Sequence, residues 1–408
     1  MGWRWRSAGG EGDRYALPLF ALAHLVIFGA LFRTVYSTPF SGTSLYYDYA
    51  GRVLAGQLPY RDFTVEYPPL ALAFFTLPRL VGEPFWMYYL AFQAQVVVVD
   101  LVIVAVLQRA ARRWALSVWR VLGVYTLAVL AVGPITLQQF DIVAAALSLC
   151  AVLWFVRGRD VGAAVFLAAG VMTKVYPILL APVFLIMGGR AALGRTLRRT
   201  VPAFAATCLA AALPWLVIAP ASLLTLVRYH ATRGLQLEST YASAVLAADK
   251  LQLTSADSFF AFGAWNVRGP MADVLTGASS YVLVLLLVAA YVWIAKQAKG
   301  PTLDVRFAAG SALFVLLLGL CGSKVFSPQY LIWLLPFVPL STAGSGGRGW
   351  VLFGVIGALS YYLFPLHYAA LIDHDTLPVM ALVMRNLLVM AFAAYVGWSL
   401  RARVWHQP

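Results

Sequence analysis

The sequence predicts an all-α integral membrane protein, because its apolar runs are numerous enough for about twelve transmembrane helices. Three observations indicate this class: 62% of the 408 residues are hydrophobic, only 11% are charged, and the mean hydropathy is +0.80. Soluble domains carry roughly 25% charged residues, so the composition excludes that class. The net charge of +14 is typical of a membrane protein that keeps lysine and arginine on its cytoplasmic side, and we expect no nucleic-acid partner.

Each predicted span is an apolar run that approaches the roughly 20 residues needed to cross a bilayer. Residues 1–14 are basic and no small-residue cleavage site follows the first run, so we expect a cytoplasmic N-terminus and a retained first helix. The predicted spans are Tyr15–Val35, Pro84–Leu107, Val118–Thr136, Ile142–Val156, Val161–Thr173, Tyr176–Gly188, Val201–Ala219, Ser280–Ala298, Arg306–Cys321, Pro328–Ser341, Trp350–Phe364 and Leu377–Leu400. The further apolar run Pro68–Val81 is interrupted by prolines and an arginine, which favours a re-entrant or interfacial segment, or an extension of the next helix.

Alternation of these spans places the short basic loops and the tail 401–408 in the cytoplasm, with roughly 19 of the 30 lysines and arginines on that side. The opposite side receives two long loops, 36–83 and 220–279, and we expect the first to carry short amphipathic helices. Nearly all clusters that mix acidic, basic and aromatic residues open on this extracytoplasmic side, which is typical of a single polar site. No repeat or separate soluble domain is recognisable, so residues 1–408 are predicted to form one transmembrane domain.

The first long loop begins with "SLYYDYAGRVLAG", which predicts a short amphipathic helix over 44–55. Thr43 or Ser44 is expected to cap its start, and Gly56 to end it. Asp48 then lies on the polar face. Its carboxylate has two interpretations: an ion pair with the arginine four residues later, or a general base.

The same loop continues with "LPYRDFTVEYPP", in which prolines favour a fixed, extended backbone around Asp62 and Glu66. A rigid acidic loop suits catalysis. The alternative is local pairing of Arg61 with Asp62, while tyrosines such as Tyr67 anchor the loop at the membrane interface.

Two charged residues lie at the ends of apolar runs. Asp141 can cap the helix that it begins, or it can belong to a site. Lys174, followed by Tyr176, stands between two apolar runs, where burial would cost on the order of 2.5 kcal/mol unless the ammonium snorkels or meets an anion. We expect an anionic partner for it.

The second long loop contains "RYHATRGLQLEST", with Arg228, His230, Arg233 and Glu238 close together in sequence. This pattern fits a solvated helix or a phosphate site, because arginine binds phosphate oxygens with paired hydrogen bonds. The later segment "GSKVFSPQYLIWLLP" adds Lys324, Gln329 and Tyr330 around a proline suited to a helix start. We predict no metal site.

The segments "LYYDYAGRVLAGQLPYRDFTVEYPPLAL", "LQQFDIVAAALSL", "TKVYPILLAPVFL", "RYHATRGLQLESTYAS" and "SPQYLIWLLP", in this order, resemble the GT-C superfamily of membrane glycosyltransferases. They are most similar to glycosyltransferase family 87, the polyprenyl-phosphate-mannose-dependent mannosyltransferases of bacterial envelopes. The resemblance implies a polytopic helical bundle in the plasma membrane with its active site on the extracytoplasmic side. It also implies a polyprenyl-phosphate sugar as donor, a lipid or glycan as acceptor, and no cofactor.

The resemblance further implies a single inverting displacement with a carboxylate base from the first extracytoplasmic loop. Candidates for that base are Asp48 first, then Glu66 and Asp62. Relatives often carry an aspartate four residues before the tyrosine that corresponds to Tyr46, and Gly42 stands there in this chain. The candidates for binding the donor phosphate are Lys174, Arg228, His230, Arg233 and Lys324. Further site candidates are Arg61, Tyr67, Asp141, Tyr176, Glu238, Gln329 and Tyr330.

Two other functions fit parts of the pattern. A flippase or transporter of lipid-linked glycans would also need polar groups near the membrane, although transporters bind substrate near the midplane rather than at one face. Gly42 also fits a scaffold for envelope enzymes that has lost its own activity.

Overall fold

The computed structural model shows a bundle of helices with a small sheet at one end. It describes residues 12–36, 42–188, 193–220, 232–298, 304–342 and 348–401. Within these residues the α-helices are α1 (Asp13–Tyr36), α2 (Thr43–Leu54), α3 (Pro69–Arg79), α4 (Phe85–Arg113), α5 (Val118–Val132), α6 (Ile135–Gln138), α7 (Asp141–Val156), α8 (Asp160–Thr173), α9 (Ala181–Met187), α10 (Leu193–Ile218), α11 (Thr240–Lys250), α12 (Pro270–Gln297), α13 (Val305–Gly322), α14 (Val338–Ser341), α15 (Arg348–Tyr361), α16 (Tyr368–Ile372) and α17 (Thr376–Ser399). Turns of 3₁₀-helix occupy Tyr176–Leu180 and Pro328–Trp333, and a π-helical turn occupies Tyr362–Leu366.

Seven helices of the described part are long and apolar enough to cross a membrane, which confirms the all-α membrane class. They are Asp13–Phe32, Phe85–Arg113, Leu197–Ile218, Pro270–Gln297, Val305–Gly322, Arg348–Leu366 and Thr376–Ser399. Other predicted spans form shorter apolar helices, and Pro328–Ser341 divides into a 3₁₀ turn and α14. The total of about twelve crossings therefore stays a prediction.

Two of these shorter helices, α7 and α8, pack against each other. They have 16 and 14 residues and are rich in alanine and other small apolar side chains. Small side chains allow close packing, and most of α7 is buried. At 1.5 Å per residue the two helices measure about 24 and 21 Å, less than the roughly 30 Å of a hydrocarbon core.

The two ends of the bundle differ in charge. At one end the start of α1 meets the end of α4, where the Nη2 of Arg112 donates to the carbonyl of Asp13 over 2.7 Å. Arg157, just after α7, lies over the ring of Trp114 at 5.6 Å. We call this the basic end. The opposite end, where α7 begins and α8 ends, carries the sheet and is called the sheet end.

The sheet was not predicted from the sequence. It has three antiparallel strands in the order β1 (Leu235–Gln236), β3 (Ala264–Arg268), β2 (Asp257–Ala261). The β2–β3 turn holds Phe262 and Gly263 at positive φ, 54° and 66°, as a two-residue hairpin turn requires. The predicted loop 220–279 is also too long, because α12 begins at Pro270 rather than at Ser280.

The first long loop is also folded at the sheet end. It forms α2 over Thr43–Leu54, close to the predicted helix, and Gly56 follows at φ 82°. The predicted cap is wrong: Gly42 is the N-cap, and the Thr43 hydroxyl instead donates to the carbonyl of Gln138. The run after it forms α3, an 11-residue helix too short to span and packed on α2 and α4.

A buried polar cluster lies far from both ends of the bundle. The Nδ1 of His24 in α1 is 2.5 Å from Asp100 in α4, which also accepts a hydrogen bond from the hydroxyl of Tyr125 in α5. The Nε2 of His24 lies 2.9 Å from the hydroxyl of Thr126. Hydrogen bonds of this kind join helices in a bilayer, and this cluster connects α1, α4 and α5.

Candidate active site

A buried ion pair lies at the sheet end of α7 and α8. Asp141 is the first residue of α7 and is fully buried, and Lys174 directly follows α8. The Lys174 Nζ is 2.6 Å from Oδ1 of Asp141, and the indole Nε1 of Trp333 donates to the same oxygen over 2.6 Å. Lys174 therefore has the anionic partner that the sequence predicted. Since that partner is a residue of the protein, the charge of Lys174 is already compensated.

Aromatic rings surround this pair. Four ring centroids lie within 6 Å of the Lys174 Nζ, those of Phe140 at 4.9 Å, Tyr330 at 5.7 Å, and Tyr67 and Trp333 at 5.8 Å. Trp333 also stacks on Tyr176 and Tyr330, each at 4.0 Å. The faces of aromatic rings attract a cation. The site candidates Tyr67, Tyr176 and Tyr330 are thus brought together around Lys174.

Glu66 lies beside the tip of the β2–β3 hairpin. A β-carbon placed on Gly263 would be 3.6 Å from Oε1 of Glu66. At the same tip, the carbonyl of Phe262 accepts a hydrogen bond from Nη2 of Arg233 over 3.4 Å. One short turn therefore lies beside a carboxylate and accepts a hydrogen bond from a guanidinium that is far from it in the sequence.

Arg233 and Lys324 form a cationic region next to this tip. Burial, followed by repulsion from Arg233, lowers the pKa of Lys324. The backbone N–H of Gln236 donates to the carbonyl of Lys324 over 3.0 Å, which fixes the two segments against each other. Like charges held close together favour an anionic ligand, because a shared anion removes their repulsion.

Glu238 is fully buried on the far side of β1. Its Oε2 accepts a hydrogen bond from Nε2 of Gln236 over 3.0 Å. Burial raises the pKa of Glu238 to about 8, and the nearby cation of Arg385 opposes this rise. Glu238 therefore carries a proton through most of the neutral range.

The hydroxyl of Tyr330 is near several of these charged groups. It interacts electrostatically with one cation and three acids, which are Arg233, Asp141, Glu238 and Glu66. Gln329, its neighbour in the 3₁₀ turn, is half-buried. The structure therefore gathers most of the described site candidates around one tyrosine.

The other two candidates for the base, Asp48 and Asp62, are paired at the surface. Asp48 is 52% exposed, and its Oδ2 accepts a hydrogen bond from Nε of Arg52 over 2.9 Å. Asp62 accepts hydrogen bonds from Arg61 and from the backbone N–H of Leu58, and these two interactions lower its pKa. The local pairs that the sequence left open are thus present, and the structure does not bring these acids into the cluster around Tyr330.

Gly42, at the position where the family resemblance implies an aspartate, lies beside the hydrogen bond between Tyr46 and Gln139. A β-carbon there would lie 3.1 Å from Nε2 of Gln139 and 3.2 Å from the hydroxyl of Tyr46. That hydroxyl donates to Oε1 of Gln139 over 2.7 Å. The absence of a side chain at this position leaves room for the Tyr46–Gln139 pair.

Two of the predicted phosphate ligands, Arg228 and His230, lie outside the described residues. Among the described residues no group of three or more histidine, cysteine or acidic side chains could hold a metal ion. Sequence reasoning missed Trp333 and Arg385. For Arg385 a signal was available, because a lone arginine inside a long apolar run is costly unless it has a function.

The sequence model of glycosyltransferase family 87 matches residues 63–319, which is more than half of the chain. The match includes Glu66, Asp141, Lys174 and Arg233, whereas Asp48 precedes it and Lys324 follows it. No curated protein matches the chain.

Proposed function

We propose that this chain, which belongs to glycosyltransferase family 87 and is therefore a membrane glycosyltransferase, transfers mannose from a polyprenyl phosphate to a lipid or glycan acceptor. The reaction takes place at the outer face of the plasma membrane. The charge difference between the two ends of the bundle supports this orientation, because basic loops stay in the cytoplasm and the sheet end then faces outward.

One observation carries the proposal: Glu66 lies beside the β2–β3 turn to which Arg233 donates a hydrogen bond. Transfer from a lipid phosphate needs a base for the acceptor hydroxyl and a cation for the leaving phosphate, close to the same anomeric carbon. We assign the base to Glu66 rather than to Asp48, because Asp48 is exposed and paired with Arg52.

The acceptor hydroxyl gives its proton to Glu66 while its oxygen forms a bond to the anomeric carbon. The bond from that carbon to the phosphate oxygen breaks, and the electron pair leaves with the polyprenyl phosphate. Arg233 and Lys324 balance the charge that develops on the phosphate. Attack opposite the leaving group inverts the anomeric centre.

Lys174 takes a different role from the phosphate ligand predicted from the sequence. Its charge is balanced by Asp141, and its surroundings are the aromatic rings of Tyr330 and Trp333. We assign it to positioning Tyr330, whose hydroxyl interacts electrostatically with the proposed base Glu66 and with Arg233.

The test is transfer by the purified protein in lipid nanodiscs, with radiolabelled polyprenyl-phosphate mannose and a membrane-lipid acceptor extract. We expect Glu66→Gln to lower kcat by roughly 10²- to 10⁴-fold, the usual contribution of a general base. The matched controls Asp48→Asn and Asp62→Asn make the same chemical change at exposed acids and should stay within about threefold of the wild type.

Loss of activity in Asp48→Asn with activity retained in Glu66→Gln would contradict the assignment of the base. Transfer from a nucleotide sugar but from no polyprenyl-phosphate sugar would contradict the donor. Movement of the lipid-linked sugar across sealed vesicles, without a new glycosidic bond, would favour a transporter.

A further inference from the structure

We infer that Arg385 is a positioning residue for the donor phosphate, because its single guanidinium holds both chain segments that carry the proposed phosphate cations. The inference rests on the proposed function, and it concerns a residue that lies within the last long helix rather than in a loop.

Arg385 is fully buried in α17, a helix long and apolar enough to span a membrane. It lies nine residues after Thr376, about 13 Å along the helix from its start. A charged side chain at that depth is costly and in most proteins has a function or a partner. Two of its nitrogens, Nε and Nη1, have no hydrogen-bond partner within the described part of the chain.

The Arg385 guanidinium contacts two chain segments. Its Cζ lies 4.1 Å from the ring centroid of Phe326, two residues after Lys324. Its Nη2 donates to the backbone carbonyl of Glu238 over 2.8 Å, five residues after Arg233. The guanidinium thus joins the segment of Lys324 to the segment of Arg233.

Neighbouring hydrogen bonds make this connection rigid. Asn386, next in α17, donates to the carbonyl of Ser239 over 3.1 Å and to that of Glu238 over 3.4 Å. The backbone N–H of Gln236 donates to the carbonyl of Lys324 over 3.0 Å, which joins the strand directly to the segment of Lys324. The strand, the loop after α13 and α17 therefore form a closed triangle of contacts.

This triangle acts against an electrostatic force. The charges of Arg233 and Lys324 repel each other, and the contacts of Arg385 hold the two segments together against this repulsion. A clamp that holds them together pre-organises the phosphate site, and pre-organisation increases affinity because less motion has to be frozen when the ligand binds. Loss of the clamp should weaken binding of the phosphate and leave the acceptor unaffected.

The experiment compares Arg385→Gln, Phe326→Leu and the control Thr126→Val in nanodiscs. The glutamine carries no charge to stack on Phe326, and it is two bonds too short to reach the carbonyl of Glu238. Phe326→Leu removes only the ring. Thr126→Val removes a buried hydrogen bond of the distant His24 cluster. For each variant we would measure KM for donor and acceptor, kcat, the melting temperature and the affinity for farnesyl phosphate.

We expect Arg385→Gln to raise the donor KM and weaken farnesyl phosphate binding at least tenfold, with the acceptor KM within twofold of the wild type. Phe326→Leu should show a smaller change in the same direction, and the two changes should not add in the double variant, because both break one contact. Thr126→Val should lower the melting temperature without changing the donor KM.

Farnesyl phosphate binding that is unchanged in Arg385→Gln, or a loss spread equally over donor and acceptor, overturns the inference and leaves the proposed function intact. If Arg385→Gln does not fold, Phe326→Leu decides between these outcomes. A wild-type protein that binds no isoprenoid phosphate overturns the proposed donor and this inference together.

Discussion

Replacing Lys174 by methionine should lower the free energy of unfolding by about 3–5 kcal/mol, the range for removing one partner of a buried ion pair. The Asp141 carboxylate is fully buried, and the Lys174 side chain is 12% exposed. After the change, the indole of Trp333 is the remaining hydrogen-bond donor to Oδ1 of Asp141 in the described part of the chain. One hydrogen bond to a charged group contributes about 1.5–3 kcal/mol, too little to stabilise a buried anion alone.

A second change should restore most of this loss. In the double variant Lys174→Met, Asp141→Asn no buried charge remains, and the amide oxygen can still accept from Trp333. We expect it to regain at least about 2 kcal/mol relative to Lys174→Met, a coupling within the range measured for contacting residues. Asp141→Asn alone should fall between the wild type and Lys174→Met, because the rings around Lys174 still attract the cation.

Reversible unfolding in mixed micelles gives the stabilities, and transfer assays on the folded double variant give the donor KM. Because the pair is neutral as a whole and Lys174 is assigned to positioning Tyr330 rather than to binding the phosphate, we expect the change to lower kcat and to leave that KM within about threefold of the wild type. A Lys174→Met loss below about 1 kcal/mol would refute the energetic argument. A stable double variant with a donor KM raised a hundredfold would show that Lys174 binds the phosphate itself.

Two further predictions concern Glu238 and Gly263. Because burial raises the pKa of Glu238 from 4.5 to about 8, the folded protein keeps a proton that the unfolded chain has lost between these values. The free energy of unfolding should therefore fall as pH rises from 4.5 to 8, by at most about 1.4 kcal/mol per pH unit, and Glu238→Gln should remove this slope in a pH series of unfolding curves. Gly263→Ala and its control Gly56→Ala both place an L-residue at positive φ, 66° and 82°, and each should cost about 1–2 kcal/mol. Only Gly263→Ala puts a methyl group beside Glu66, so only it should lower kcat, and equal kcat values in the two variants would contradict the position of Glu66.

The long helices of the fold could be predicted from the sequence because a bilayer imposes a length and a composition on every span. Their starts could not, since hydropathy ignores polar first turns: α12 begins at Pro270, before its apolar part. The sheet escaped prediction for a different reason. Its strands have two to five residues, and such short strands exist only through pairing with partners elsewhere in the chain.

The sequence indicated which kinds of residue a site would use, but not which of them lie together. The cost of a buried ammonium indicated an anion near Lys174, but its identity as Asp141 depends on the antiparallel packing of α7 and α8. The ranking of Asp48 ahead of Glu66 could not take exposure into account, because the exposure of a carboxylate depends on what packs over it in the folded protein. Arg385 was hidden because its apolar neighbours dominate any average over the helix.

The shortness of α7 and α8 has a consequence for how a lipid substrate reaches the protein. If all helices end at the same level on the basic side, Asp141 and Lys174 lie about 6–9 Å deeper than the opposite ends of helices that cross the full hydrocarbon core. A site at that depth would lie level with the headgroups or just below them. For the proposed donor, the isoprenoid tail could then remain in the leaflet while its phosphate enters the site from the side, and the lipid would not have to leave the membrane.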